Sequence, residues 1–134
     1  MIHIREIDHV VLRVVDLDRM LWFYRDVLGC KVEREQKELG LTQLRAGRSL
    51  IDLVTVDGKL GQQGGRAPGP TGRNMDHFCL RVDPFDAGAI QAHLLQQGLE
   101  PGEVASRYGA EGQGPSIYVQ DPEGNTLELK GAPW

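Results

Sequence analysis

The amino-acid sequence predicts an α+β fold built from two βαβββ modules, and three observations carry that prediction. The segment Ile7-Asp8-His9-Val10-Val11-Leu12-Arg13-Val14 returns as Met75-Asp76-His77-Phe78-Cys79-Leu80-Arg81-Val82, with Asp-His and Leu-Arg-Val at the same internal spacing. A strand-like segment repeated half a chain length later marks two copies of one supersecondary unit. Each copy leads into a stretch of helical apolar spacing that stops at a glycine, Gly29 in the first and Gly98 in the second. Between the copies, residues 57–74 hold Gly58, Gly61, Gly64, Gly65, Pro68, Gly69, Pro70 and Gly72, a density of turn formers that forbids a regular element.

Taken in order, residues 7–14 alternate and are rich in Val, Leu and Ile, which predicts a strand. Period two puts His9, Val11 and Arg13 on one face and Val10, Leu12 and Val14 on the other. Asp16 or Asp18 caps an amphipathic helix carrying Leu17, Met20, Leu21, Tyr24 and Leu28. Residues 30–36, 40–46 and 49–56 follow as three short strands. The glycine-rich stretch is then a connection that also forms part of a rim.

The second copy opens with the strand 75–82. Asp83-Pro84 reads as a cap followed by proline at the first helical position, and Ala87, Ile90 and Leu94 continue the helix. Residues 99–105 are expected as a strand, 107–115 as another glycine-rich loop, and 116–120 and 126–130 as two closing strands joined by the turn Asp121-Pro122-Glu123-Gly124-Asn125. The boundaries are about 5–57 for module one, about 58–74 for the linker and about 75–131 for module two. Together they form a single domain, 1–134.

A chain of 134 residues with 40% hydrophobic and 25% charged residues has the composition of an ordinary soluble globular protein, large enough to bury a core without staples. Its formal charge of -4 and scattered Lys and Arg argue against a nucleic-acid surface. No apolar run approaches the ~20 residues of a membrane helix, and the first residues lack the pattern of a signal peptide. A cytoplasmic protein without membrane or nucleic-acid partners is expected. Cys30 and Cys79 are then free thiols, Cys79 most simply a small buried one, and without a C-x-x-C any metal must come from His and carboxylates.

Setting Leu50-Ile51-Asp52-Leu53 over Thr126-Leu127-Glu128-Leu129 puts Asp52 opposite Glu128. Each unit thus offers one His near its start and one acid near its end. A lone strand acid ordinarily faces solvent, but two His and two acids at matching places converge if the copies pair about a pseudo-twofold axis. Four nitrogen and oxygen donors without thiolate suit a divalent ion such as Ni, Zn, Co, Mn or Fe. The expected metal set is His9, Asp52, His77 and Glu128. His3 and His93 have no partner at ligand spacing and are expected on the surface.

Phe23-Tyr24-Arg25-Asp26-Val27-Leu28-Gly29, the opening Asp8-His9-Val10, and Asp121-Pro122-Glu123-Gly124-Asn125-Thr126-Leu127-Glu128 together resemble the vicinal oxygen chelate superfamily. That superfamily includes glyoxalase I, fosfomycin resistance proteins, extradiol dioxygenases, methylmalonyl-CoA epimerase and metal-free bleomycin-binding proteins. The resemblance covers nearly the whole chain and is specific for the superfamily rather than for a reaction. It implies paired βαβββ modules forming a curled mixed sheet, a cup around one metal ion, in a homodimer. The ligands it carries over are His9, His77 and Glu128. Asp52 stands where glyoxalase I has Glu, so direct ligation, ligation through water and a role as base all stay open for it.

The leading expectation is a metal-dependent lyase or isomerase of the glyoxalase type, similar to lactoylglutathione lyase. It would act on a small vicinal-oxygen substrate such as a 2-oxoaldehyde hemithioacetal, with glutathione as a co-substrate. The ion would chelate two adjacent oxygens, and Glu128 or Asp52 would remove a proton beside the carbonyl. Arg13 lies ~13 Å along the strand from His9. It resembles the glutathione-contacting Arg of glyoxalase I, although Val56 replaces the Asn expected after the first-module acid. Arg13, its counterpart Arg81, and Tyr108 closing from the glycine-rich loop are the candidate substrate-binding residues, with surface salt bridges as the simpler account of the two arginines. The alternatives are a thiol transferase or dioxygenase on a two-His, one-Glu site, and a non-catalytic drug-binding protein.

Overall fold

The computed structural model describes residues 1–134, which divide into two compact units, Met1–Asn74 and Met75–Trp134. Each unit is a four-stranded mixed sheet, and none of its helices is long and apolar enough to cross a membrane.

In the first unit the strands are β1 (His9–Val14), β2 (Lys31–Gln36), β3 (Leu41–Ala46) and β4 (Ser49–Thr55), in the order β1-β4-β3-β2. Strand β1 runs parallel to β4, and the other pairs are antiparallel. Helix α1 (Leu17–Leu21) makes the crossover that a parallel pair needs and continues as a π-helical segment, Trp22–Val27. Asp16 caps it by accepting from the Arg19 N–H, and Gly29 ends it at φ 83°. The alternation then works as expected: Leu12, Val14, Ile51, Leu53 and Leu44 meet Met20, Phe23, Tyr24 and Val27 in a core whose side chains are nearly all closed to solvent. Phe23 and Tyr24 pack edge to face with centroids 4.9 Å apart.

The second unit repeats the plan with β5 (Phe78–Arg81), β6 (Ala105–Gly109), β7 (Gly112–Gln120) and β8 (Thr126–Lys130), in the order β5-β8-β7-β6. Here β5 is parallel to β8. Helix α2 (Ala87–Gln96) buries Leu94, and Ile117, Val119, Leu127 and Leu129 form the sheet's share of the core.

Four expectations are corrected. The N-cap of α2 is Asp86, whose side chain accepts from the Ala89 N–H, whereas Asp83-Pro84 precedes the helix as a cis peptide. Residues 99–104 form no strand, and the expected loop 107–115 is instead most of the β6–β7 hairpin, turning through Ala110 and Glu111 between the paired Gly109 and Gly112. Gly109 and Gly114 serve close approach rather than looping: a Cβ on Gly109 would stand 2.5 Å from Lys130 Cε, and one on Gly114 would stand 2.7 Å from the Ala132 carbonyl oxygen. Cys79 is exposed, and it is Cys30 that is the buried thiol.

The linker is also less open than its composition suggests. Arg13 donates from Nε and Nη2 to the Gly61 carbonyl at 3.2 and 2.9 Å, from Nη2 to Gly65 at 2.7 Å and from Nη1 to Arg66 at 3.0 Å. Asn74 then exchanges two hydrogen bonds of 3.1 Å with the Arg13 backbone. Around this clamp the chain forms a short 3₁₀ turn, Gly61–Gly64, where composition predicted no regular element.

Candidate functional site

Register brings the chemistry-bearing residues together within each unit. Val11 pairs with Asp52 and Asp52 with Gln43 across β1, β4 and β3, while Cys79 pairs with Glu128 and Glu128 with Tyr118 across β5, β8 and β7. The two acids therefore occupy the same place in the two ladders. His9 and His77 stand two residues before Val11 and Cys79, on the same faces as the acids.

Asp52 and Glu128 are 4% and 6% exposed, so neither is the solvent-facing strand acid of the simpler account. His9 Nε2 lies 4.0 Å from Asp52 Oδ2, and His77 Nε2 lies 3.4 Å from Glu128 Oε1. The other nitrogen of each ring is taken by the preceding residue. Asp8 Oδ1 is 2.7 Å from His9 Nδ1, and Asp76 Oδ2 is 2.5 Å from His77 Nδ1. An ionised carboxylate only accepts, so Nδ1 carries the proton and Nε2 presents either its lone pair or a second proton to the buried acid.

A lone pair facing a carboxylate at this range is unfavourable unless a proton or a cation stands between them. The Asp8 hydrogen bond is the largest cause holding the His9 pKa above its ordinary 6.5, with Asp52 adding to it. A carboxylate on the far ring nitrogen is also the arrangement that orients and strengthens a metal-ligating imidazole. Two ligands at about 2.1 Å from one ion at the tetrahedral angle are about 3.4 Å apart, which the second pair matches and the first exceeds. Neither unit by itself gathers three metal-ligating side chains. The predicted set is thus present as two imidazole–carboxylate pairs whose chemistry fits a divalent ion.

The acids differ in their third neighbour. Gln43 Nε2 donates to both oxygens of Asp52, at 3.3 and 3.2 Å. Tyr118 is the ladder partner of Glu128, and its ring stands edge-on to His77 with centroids 5.4 Å apart. Desolvation and the Glu128 charge raise the Tyr118 pKa, while Arg107, whose guanidinium lies 4.4 Å from the ring centroid, opposes that rise. Desolvation and Glu128 likewise push the Cys79 thiol up to about 11, which leaves it protonated and a poor nucleophile at neutral pH.

The three expected substrate contacts fare differently from the ligands. Arg13 spends its guanidinium on linker carbonyls. Arg81 pairs with Glu111 at 2.6 Å, the surface salt bridge of the simpler account. Tyr108 sits in strand β6 rather than in a loop, 80% exposed, and period two turns it away from the face that carries Arg107 and Tyr118. Sequence reasoning missed Gln43 and Tyr118, which only the β3–β4 and β7–β8 registers reveal. It also missed the roles of Asp8 and Asp76, although both were visible in the repeat.

Known proteins share this arrangement of strands. Virulence protein STM3117 of Salmonella typhimurium is 31% identical over 128 residues, covering 94% of this chain and 83% of that protein. Its crystal structure superposes with a TM-score of 0.80 at 26% identity, covering 98% of this chain and 99% of that one. Lactoylglutathione lyase GLX1 of Arabidopsis thaliana is 29% identical over 127 residues, and the match spans 90% of this chain but 42% of the plant protein. The lactoylglutathione lyase of Agrobacterium tumefaciens, at 22% identity and a TM-score of 0.65, covers 94% of this chain and 92% of its own and shares the fold. Residues 6–129 match the family as a whole, and the chain belongs to the Glyoxalase/Bleomycin resistance protein/Dioxygenase superfamily.

Proposed function

We propose that the protein is a divalent-metal-dependent lyase or isomerase of the glyoxalase type, acting on a small substrate with two adjacent oxygens. The observation that carries this reading is the duplicated triplet in which an Asp holds Nδ1 of a His whose Nε2 faces a buried carboxylate. His9, Asp52, His77 and Glu128 would hold the ion, Ni, Co, Zn, Mn or Fe, which when bound supplies positive charge to the substrate oxygens and so acidifies the adjacent C–H.

Glu128 removes that proton from one carbon and returns it to its neighbour, which isomerises the substrate without changing its composition. Tyr118 orients the carboxylate and Asp76 fixes the His77 ring. Asp52, held at both oxygens by Gln43, is the less mobile acid and is assigned the supporting role. The protein is further taken to be a cytoplasmic homodimer, a state that light scattering on purified protein would check.

Elemental analysis should find one divalent ion per chain, lost on His77→Ala. Chelator-treated protein should regain turnover of the methylglyoxal–glutathione hemithioacetal on adding Ni, Co or Zn. No turnover across that series would remove the lactoylglutathione reading. The 4.0 Å gap between His9 and Asp52 favours a second reading, a thiol transferase using only His9, His77 and Glu128. Thiol addition to fosfomycin in the presence of Mn would distinguish it.

A further inference from the structure

Lys130 is 5% exposed, yet it lies on the same face of β8 as Glu128, away from the helix side of the sheet. Its ammonium donates to the Arg107 carbonyl at 2.7 Å, and no carboxylate stands within ion-pair distance. A buried ammonium has three donors and a large desolvation cost that one neutral carbonyl does not offset. Arg107 beside it is half-buried and likewise bonded to neutral groups. Its Nη1 donates to the Ser116 carbonyl at 2.9 Å and Oγ at 2.8 Å, the rest of the fork lies over Tyr118, and it too lacks an acidic partner. Gly109 keeps the slot for the Lys130 stem open, since any Cβ there would collide with it.

These cations do not belong to the repeated scaffold. The ladder row Arg81, Lys130, Ser116 of the second unit corresponds to Arg13, Val54, Leu41 of the first, so the first unit has apolar side chains where the second has an ammonium and a hydroxyl. Arg81 is neutralised by Glu111, which leaves Lys130 and Arg107 as the two cations of this face without an ion pair. Arg107 packs on Tyr118, whose ring in turn stands against His77 and beside Glu128, so one side chain separates it from that pair.

We propose that Lys130 and Arg107, with Ser116, form a subsite for a small oxyanion, a carboxylate or a phosphate, carried by the substrate at the end remote from the reacting carbons. That the anion belongs to the substrate rests on the lyase reading, whereas the subsite itself does not. Arg107 offers a planar fork and Lys130 a point charge, the pairing that oxyanions take.

The test is a titration of inorganic phosphate, and separately of acetate, into chelator-treated wild-type protein, following the side-chain NMR signals of Arg107 Nε–H and Lys130 Cε. Saturable shifts of both signals are expected, and the stronger titration names the group. Lys130→Met, close in length and volume, should weaken binding about tenfold or more, as should Arg107→Gln on the more accessible side, while Arg25→Gln, at a surface ion pair with Asp26 in the other unit, should leave it unchanged. The subsite is overturned if neither anion moves the signals saturably, or if both variants bind as wild type. Anion binding without turnover of the hemithioacetal would keep the subsite and remove the lactoylglutathione reading; turnover with unmoved signals would do the reverse.

Discussion

In the first module the buried carboxylate, Asp52, is held by the amide of Gln43, whereas in the second the longer Glu128 faces the phenol of Tyr118, although both acids occupy the same ladder position. One row further on, Val54 and Leu41 in the first module stand where Lys130 and Ser116 stand in the second. The shared ladder shows what two copies of this unit need in order to fold: an apolar face toward a capped helix. The differences lie on the opposite face, where a substitution leaves the core alone. A carboxylate bonded twice by a neutral amide is fixed, whereas Glu128, which no amide holds in this way, is better placed to carry a proton.

The largest effect should separate the two acids. Glu128→Gln is expected to lower turnover of metal-loaded protein by about 10²- to 10⁴-fold, the usual range for a general base, and Asp52→Asn by clearly less. Equal losses in saturating-substrate kinetics would abolish the distinction between the modules. Next comes the core. Leu53→Ala, at a fully buried position, and Leu129→Ala in the second core, whose helix buries only Leu94, should each cost about 2–5 kcal/mol, with Leu53 at the upper end; denaturant unfolding would rank them.

The smallest effect concerns pH. In chelator-treated protein His9 should titrate above 6.5, because its Asp8 bond favours the charged ring. A raised folded-state pKa means a stabilising contribution that is fully present below the unfolded value and disappears as pH rises through the folded one. Asp8→Asn should bring the NMR midpoint down, and an unmoved midpoint would show that the pairing does not govern this ring.

Much of the fold was legible in the sequence because its signals are local. The repeat, the alternation of residues 9–14, the Asp16 cap and the stops at Gly29 and Gly98 all depend on a few neighbouring residues, and the structure keeps each of them. The β6–β7 hairpin was not legible, since glycine marks a turn and a close approach with the same letter. Only the packing of Lys130 over Gly109 tells them apart. Within the candidate site, His9, His77, Asp52 and Glu128 could be aligned by repeat position alone. Gln43 and Tyr118 could not, because they reach the acids through antiparallel register, which the turns set and the sequence does not print. The partners of Arg13 were illegible for a related reason: its strand face could be read, but the carbonyls that take up its fork belong to a segment with no periodic signal.

The Asp-His dipeptide has a consequence for how such a molecule is made. Because the residue that fixes each imidazole is its immediate neighbour in the chain, the orientation of the ring is inherited by any copy of that strand. Duplicating the gene segment duplicates a finished half-site rather than a bare ligand. Later change is then free to fall on partners supplied from elsewhere, such as the residue facing each acid. The binding chemistry is portable, and specificity is written afterwards, one facing strand at a time.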